Sequence, residues 1–445
     1  MKQIIIFLTC FLAFPLFTAE SHAQQFDDFF DGRTLRLDYI FAGNDSSQYI
    51  VFKQAYVSPE WAGRRNRLAE KFLEGNGQIT VRDHESQQVI YVNTFSTLFQ
   101  EWQTSNEAAS VKKAFENSYL VPFPKKPVDI TITLTDNHRQ VCGEMTHPLD
   151  PKDILIQPIG ENGIPHEYIL KSGSPAECVD IAIVAEGYTE LQMDKFRNDC
   201  KRAVDALFSH EPFTSMKNRF NVVAVLSPSL DGGPSIPHSH LWRRTAVGTH
   251  YDTFYSDRYL MTSRIHSLYN LLSGVPFEHI IVMVNSSVYG GGGIYNQVMV
   301  TTSDHPTFKQ VLVHEFGHSY AGLGDEYGYG DEMAAMYPSD VEPWEPNLTT
   351  LVDFDSKWAD LVPKGTPIPT PESDIPDFRF ARTNKERKAI DKATQQVGVF
   401  EGGGYQSKGV YRPAQECRMK INEVSLFCPV CTRAIQRITD FYTSH

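Results

Sequence analysis

The sequence has little positive charge and no stretch in which it is concentrated. Its 41 Lys and Arg residues are outnumbered by 54 Asp and Glu residues, so the 445-residue chain carries a formal net charge of −13. The pair formed by Arg243 and Arg244 is too short to make a basic patch. Because a nucleic-acid surface needs cations to neutralise phosphates, the composition argues against a nucleic-acid partner.

Internal repeats and long apolar runs are also lacking. No repeat period, coiled-coil heptad or long low-complexity tract is evident, which argues against a solenoid or a fibrous protein. One apolar stretch, at residues 4–17, follows a positively charged start and is too short to span a membrane stably.

This stretch is typical of a cleavable export signal. It is followed by Ser21-His22-Ala23, a small-x-Ala cleavage sequence, so we predict a signal peptide at residues 1–23 and a mature chain that begins at Gln24. Cys10 lies inside the apolar stretch and does not close a lipobox, which argues against a lipoprotein. We expect a periplasmic, cell-surface or secreted protein with no transmembrane segment in the mature chain.

Cysteine is sparse after residue 23, but six residues remain, and an even number in an exported chain permits disulfides. They are Cys142, Cys178, Cys200, Cys417, Cys428 and Cys431. The last three form a local group without a flanking histidine, which argues against a second zinc site. We predict a disulfide from Cys417 to either Cys428 or Cys431.

The strongest chemical signal is an HExxH pattern formed by His314, Glu315 and His318. On a helix, residues four apart lie on the same face, so two neutral imidazoles can bind one metal ion. Glu315 would project beside them, where it can take a proton from a water that the metal activates. The pattern therefore predicts a zinc hydrolase site.

The surrounding residues favour a helix that ends soon after the second histidine. Phe308, Val311 and Leu312 have the spacing of a core-facing helical stripe. Gly322 and Gly324 then allow the helix to end and the backbone to turn sharply. A third metal ligand can follow immediately.

The motif continues as HExxHxxxGxxD, with Gly322 and Asp325 each one residue later than in the metzincin signature HExxHxxGxxH/D. This variant, followed by Glu326 and Tyr327, resembles the M64 family of bacterial metallopeptidases, whose founding activity is the cleavage of immunoglobulin A. The resemblance covers about residues 170–445.

The resemblance implies an endopeptidase with one catalytic Zn²⁺ and a protein or peptide substrate, which includes a host glycoprotein such as immunoglobulin. His314 and His318 would bind the metal, and Glu315 would be the catalytic base. Asp325 is the predicted third ligand, and Glu326 is the alternative.

A second segment supports the same resemblance. Cys417-Arg418-Met419 is similar to the Met-turn beneath the metal of metzincins, which implies that Met419 forms the floor of the site, where a soft thioether can pack under imidazoles. Some metzincins have a tyrosine two residues later that supports the transition state, and Ile421 occupies that position here. The remaining candidates for this role are Tyr327, Tyr405 and Tyr411.

Residues 24–160 predict an all-β, sandwich-like domain, because four of their segments alternate between apolar and polar residues. The segments are residues 34–40, 78–83, 88–93 and 128–134. None carries a metal or nucleophile constellation, so we expect a binding, positioning or prodomain-like module. The linker-like composition of residues 158–165 marks the boundary.

Residues 161–445 predict an α/β domain, which the resemblance makes a metzincin-like zinc metalloprotease domain. A helix is expected within residues 190–210, and apolar runs predict four buried strands. These runs are residues 179–188, 220–225, 279–285 and 297–301. The resemblance implies that the last of them is the sheet edge, which binds an extended substrate in antiparallel register.

The sequence thus predicts a secreted zinc endopeptidase. Two alternatives remain: a gluzincin-like peptidase or other zinc hydrolase of small amides, and a noncatalytic adhesion or glycan-binding protein that acts through its β domain. Zinc content and the pattern of substrate cleavage distinguish the three.

Overall fold

A computed structural model describes residues 25–160, 163–328 and 336–443. The predicted signal peptide, its cleavage after Ala23 and the predicted start at Gln24 lie outside the described residues. Within those ranges, no helix combines the length and the apolar character needed to cross a bilayer.

The N-terminal part contains two four-stranded sheets that pack face to face. The strands are β1 (Phe30–Gly43), β2 (Gln48–Ser58), β3 (Gly77–Asp83), β4 (Val89–Phe95), β5 (Lys113–Pro124), β6 (Val128–Thr135), β7 (Val141–Leu149) and β8 (Gln157–Pro158). Their orders are β5-β1-β2-β8 and β4-β3-β6-β7. The inward side chains form one core, in which Phe95 stacks on Tyr119 with 4.2 Å between ring centroids. All four strands predicted from alternation are present.

Two short helices, α1 (Phe26–Phe29) and α2 (Leu98–Trp102), accompany these sheets. In α2, the Thr97 side chain accepts a hydrogen bond from the Gln100 backbone N–H and so caps the helix. The helix buries Phe99 and Trp102 in the sandwich core.

The second part is built on a six-stranded mixed sheet of order β13-β14-β12-β10-β11-β9. The strands are β9 (His166–Leu170), β10 (Val179–Glu186), β11 (Phe220–Val225), β12 (His279–Val284), β13 (Gly291–Ile294) and β14 (Val298–Thr302). The four central strands are parallel, and the two edge strands are antiparallel to their neighbours. Because both faces are covered, the central strands are apolar along almost their whole length and do not alternate.

Each face of this sheet packs against a different layer. One face lies under the helices α3 (Met193–Leu207), α5 (Phe308–Ala321) and α7 (Pro429–Thr443). The other face packs on α4 (Ile265–Leu271), and its side chains are continuous with the core of the N-terminal sheets. The remaining elements are α6 (Asn384–Thr394) and the hairpin of β15 (Phe400–Gly403) and β16 (Gln406–Arg412).

The edge of the sheet differs from the prediction. The strand at residues 297–301 is present as β14, but β13 lies outside it and forms the edge. A Cβ at Gly293 would lie only 2.5 Å from the backbone oxygen of Glu315, so this glycine lets the edge strand lie directly on α5. The edge that the resemblance implied is therefore one strand too far inward.

The N-terminal domain holds the β13–β14 hairpin in place. The Asn296 side chain donates a hydrogen bond to the Thr94 carbonyl at 2.7 Å, and the Ser96 backbone N–H donates to the Tyr295 carbonyl at 3.0 Å. These contacts fix the hairpin that covers α5.

Candidate metal centre

Helix α5 carries His314, Glu315 and His318 beneath the edge strand. It ends at Gly322, whose φ of 60° lies in the left-handed region that favours glycine. The Gly322 N–H donates to the His318 carbonyl at 3.0 Å, and the Leu323 N–H donates to the Gly317 carbonyl at 3.2 Å. This C-terminal cap turns the chain back toward the two histidines, as the sequence predicted.

The turn brings Asp325 to the histidine pair. His314 Nε2 lies 3.0 Å from His318 Nε2. Asp325 Oδ1 lies 3.1 Å from the first of these nitrogens and 3.3 Å from the second. Ligands about 2.0–2.1 Å from a tetrahedral ion lie roughly 3.3 Å from one another, so the three atoms fit one face of such a tetrahedron.

Backbone carbonyls orient both imidazole rings for this role. His314 Nδ1 lies 2.9 Å from the Arg418 carbonyl oxygen, and His318 Nδ1 lies 2.5 Å from the Leu323 carbonyl oxygen. Since a carbonyl can only accept, each Nδ1 donates, and each Nε2 keeps its lone pair for a metal. Asp325 Oδ1 is buried and accepts no hydrogen bond from the described residues, which also fits a cation at this point.

The other oxygen of Asp325 is held by Tyr405, whose hydroxyl donates to Oδ2 at 2.5 Å. Tyr405 lies in the β15–β16 turn, and the neighbouring Gly404 N–H donates to the Asp325 carbonyl at 2.8 Å. The structure therefore places Tyr405 behind a predicted metal ligand. Of the other two tyrosine candidates, Tyr327 packs edge-on against Tyr405 at 5.3 Å between ring centroids, whereas Tyr411 pairs through its backbone with Thr349.

We expect Tyr405→Phe to lower metal affinity or peptide turnover by roughly 10- to 100-fold, because loss of a ligand's hydrogen-bond partner typically costs that much. Metal titration of the purified variant and measurement of its turnover test this. Tyr411→Phe is the matched control and should behave as the wild type. Equal metal affinity and turnover in the two variants would contradict a role for the Tyr405 hydroxyl.

The structure distinguishes the two predicted third ligands. Asp325 and Glu326 are consecutive, but only Asp325 contacts the histidines. Glu326 points to the cysteine group, where its Oε1 lies 3.0 Å from Cys431 Sγ.

Burial and the two imidazoles act in opposite directions on the pKa values of the two carboxyl groups of the site. Burial raises the pKa of Glu315 above its usual range, and the nearby imidazoles of His314 and His318 oppose this only in part. Burial also acts to raise the pKa of Asp325, but the two imidazoles outweigh it and hold that pKa far below its usual range. The site therefore combines a carboxylate that stays charged with a carboxyl group that binds a proton more readily than an exposed glutamate.

Met419 lies beneath α5. It is fully buried, and a Cβ at Gly317 would lie 2.8 Å from its sulfur, so the thioether packs directly under the HExxH segment. The Met419 carbonyl accepts a hydrogen bond from the Glu326 N–H at 2.9 Å, which connects this floor to the turn that carries Asp325.

Two further groups at the site were not predicted from the sequence. Asn347 accepts from the Gly324 N–H at 2.7 Å and donates to the Gly324 carbonyl at 2.9 Å, so it fixes the turn before Asp325. Glu101, on α2, accepts from the Tyr259 hydroxyl at 2.6 Å. Burial raises the pKa of Glu101 to about 7, and the charges of catalytic-helix residues also act on it.

The predicted disulfide is not formed in the structure. All six cysteines within the described residues are free thiols, and Cys417 Sγ lies 3.8 Å from Cys431 Sγ. The prediction considered only the thiols close together in sequence and missed Glu326, which lies among them.

Two histidines on one helix, completed by an aspartate from the following turn, define a candidate metal site of the kind that metallopeptidases use. The family model described as IgA Peptidase M64 matches residues 168–439, and the model described as Peptidase M64 N-terminus matches residues 25–146. The chain therefore belongs to the M64 family of metallopeptidases, as its motifs indicated. Comparison with curated proteins gives no match to this chain.

Proposed function

We propose that this protein is an exported, zinc-dependent endopeptidase in which His314, His318 and Asp325 bind one catalytic zinc ion. The observation that carries the proposal is the convergence of three ligand atoms within 3.3 Å of one another, at the end of the helix that also carries Glu315. A zinc ion held there would polarise the scissile carbonyl and lower the pKa of the attacking water.

Glu315 is the proposed general base and general acid. It follows His314 in the chain, so its carboxyl group is carried on the helix that carries the metal ligands. Glu315 takes the proton from the attacking water and then delivers it to the departing amine.

The proposed substrate is an extended polypeptide that pairs with the outer side of β13, beyond the bridge that Tyr259 forms with Gly291. An edge strand offers unpaired backbone groups to a peptide, and β13 lies directly over the Glu315 backbone. Backbone pairing on both sides of the scissile bond favours internal cleavage. A host glycoprotein such as immunoglobulin is a candidate substrate, since the family model takes its description from cleavage of immunoglobulin A.

Two finer assignments belong to the same proposal. Met419 is the Met-turn residue of a metzincin-like domain, which its position beneath Gly317 supports. Residues 1–23 direct export to the periplasm, the cell surface or the medium.

The purified mature chain should cleave a mixture of unfolded proteins at internal bonds. A zinc chelator should stop the cleavage, and added Zn²⁺ should restore it. Identification of the new termini by mass spectrometry separates the alternatives. Removal of terminal residues only, or hydrolysis of small amides only, would replace the endopeptidase proposal, and binding without any turnover would refute an enzymatic role.

A further inference from the structure

A second group of potential metal ligands lies behind the catalytic centre. It consists of Glu326, Cys417, Cys428 and Cys431, all of them with no exposed surface, and their ligand atoms lie within 4.8 Å of one another. The group joins three parts of the domain: the turn after α5, the segment that carries Met419, and the start of α7.

We propose that these four residues bind a second, structural zinc ion through three thiolates and one carboxylate. Tetrahedral structural zinc sites are rich in cysteine, and a CxxC pair at the start of a helix is a usual source of two of the ligands. Cys428 and Cys431 form such a pair, and α7 begins at Pro429 between them. The proposal does not depend on the peptidase activity.

The distance between the sulfurs agrees with a metal. Two thiolates bound about 2.3 Å from a tetrahedral ion lie roughly 3.8 Å from each other. The separation of Cys417 Sγ and Cys431 Sγ is 3.8 Å. The Glu326 carboxylate lies on the same side, with Oε1 3.0 Å from Cys431 Sγ.

Two backbone N–H groups are directed at sulfurs of the group. The Cys428 N–H points to Cys417 Sγ at 3.3 Å, and the Cys431 N–H points to Cys428 Sγ at 3.5 Å. Backbone donors directed at sulfur commonly support metal-bound thiolates. Glu326 Oε1 accepts from Asn347 at 2.9 Å, whereas Oε2 is buried without a hydrogen-bond partner among the described residues.

A disulfide explains these observations less well. A bond between any two of the three cysteines would leave the third thiol and the Glu326 carboxylate together in a fully buried site. A buried carboxyl group that binds no cation must either take up a proton or remain a costly unpaired charge. One zinc ion, by contrast, uses all four side chains.

The second zinc would stabilise the floor of the catalytic centre. Glu326 directly follows Asp325, and Cys417 lies two residues before Met419. Arg418 lies between Cys417 and Met419, and its carbonyl oxygen accepts the hydrogen bond from His314 Nδ1. A metal bound here therefore fixes the turn that carries Asp325 and the segment that orients His314.

The test uses the full mature chain with His314→Ala and His318→Ala, which removes the catalytic site but keeps every cysteine. We expect this double variant to retain one zinc ion per chain by elemental analysis. After exchange with Co²⁺, it should show the near-ultraviolet sulfur-to-cobalt charge-transfer band of thiolate ligation. Adding Cys431→Ser should remove both signals, whereas adding Cys142→Ser, at a cysteine outside the group, should change neither.

Two results would overturn the proposal. One is a folded double variant without bound zinc and without the charge-transfer band. The other is a disulfide between two of the three cysteines, detected by mass spectrometry after alkylation under non-reducing conditions. Both measurements are independent of turnover, so either result would refute the second site and leave the proposed function intact.

Discussion

Glu315→Gln is expected to lower peptide turnover by about 10²- to 10⁴-fold, the range that general acid–base catalysis contributes. The amide has nearly the shape of the carboxyl group but can neither accept the water proton nor deliver it to the amine. The metal ligands His314, His318 and Asp325 are unchanged, so zinc content should equal that of the wild type. The turnover number and the bound zinc, measured on the same preparation, test this prediction.

Glu101→Gln is a useful control, because Glu101 is also a buried carboxyl group acted on by the charges of the site. It lies on the N-terminal domain and is bound to Tyr259, so it has no proposed part in proton transfer. Its loss should reduce turnover far less than the loss of Glu315. Wild-type turnover in a zinc-loaded Glu315→Gln protein would show that another group transfers the proton.

The local part of the site could be predicted because its geometry depends on short spacing. Helical periodicity alone places His314 and His318 on one face, and the glycine at 322 ends the helix where the cap is observed. Asp325 lies three residues after Gly322, so the short connection keeps it close to the histidines. The buried strands could be predicted for a similar reason, since a continuous apolar run indicates a strand covered on both faces.

The long-range part could not be predicted, because no local pattern marks it. Asn347 and Tyr405 act on the Asp325 turn from segments that are distant in sequence. The sequence offered Tyr405 only as one of three candidates to support the transition state, and it did not indicate Asn347. The error at β13 has a related cause. A run of glycines is typical of a loop, and only the folded structure shows that a Cβ at Gly293 would meet the Glu315 backbone and one at Gly292 the Tyr259 ring.

The cysteine group illustrates the same difficulty. In the sequence, three thiols without a neighbouring histidine favour a disulfide, because no fourth metal ligand lies close to them along the chain. The sequence indicates Glu326 only as an alternative to Asp325 at the proposed catalytic metal. In the structure, these consecutive carboxylates point to different groups of ligands, so the turn after α5 serves both sites.

Asp325→Ala is expected to remove the catalytic zinc and to abolish turnover. Of the three proposed ligands, Asp325 is the only one that lies outside α5. It is also the only one with a negative charge. The remaining imidazoles, His314 and His318, would hold the ion by two bonds. The loss of affinity should exceed the roughly 10- to 100-fold that removal of an outer hydrogen-bond partner costs.

Thermal unfolding gives a readout that does not depend on activity. A ligand that binds only the folded state at about 100 times its Kd adds about 2.7 kcal/mol to the free energy of unfolding. Zinc at the catalytic site should therefore raise the Tm of chelator-treated wild-type protein. In the Asp325→Ala protein, added zinc should raise the Tm less, because the catalytic site no longer binds the ion.

Asp304→Ala is the matched control, because Asp304 is an exposed aspartate that pairs with Lys195 on α3. It should retain the wild-type Tm increase and turnover. In the Asp325→Ala protein, the metal at the cysteine group should remain, because Glu326 points away from the mutated residue. An Asp325→Ala protein that keeps the full zinc content and the full Tm increase would exclude Asp325 as a ligand. If Glu326→Ala then lost the metal held by the histidines, the third ligand would have to be reassigned to Glu326.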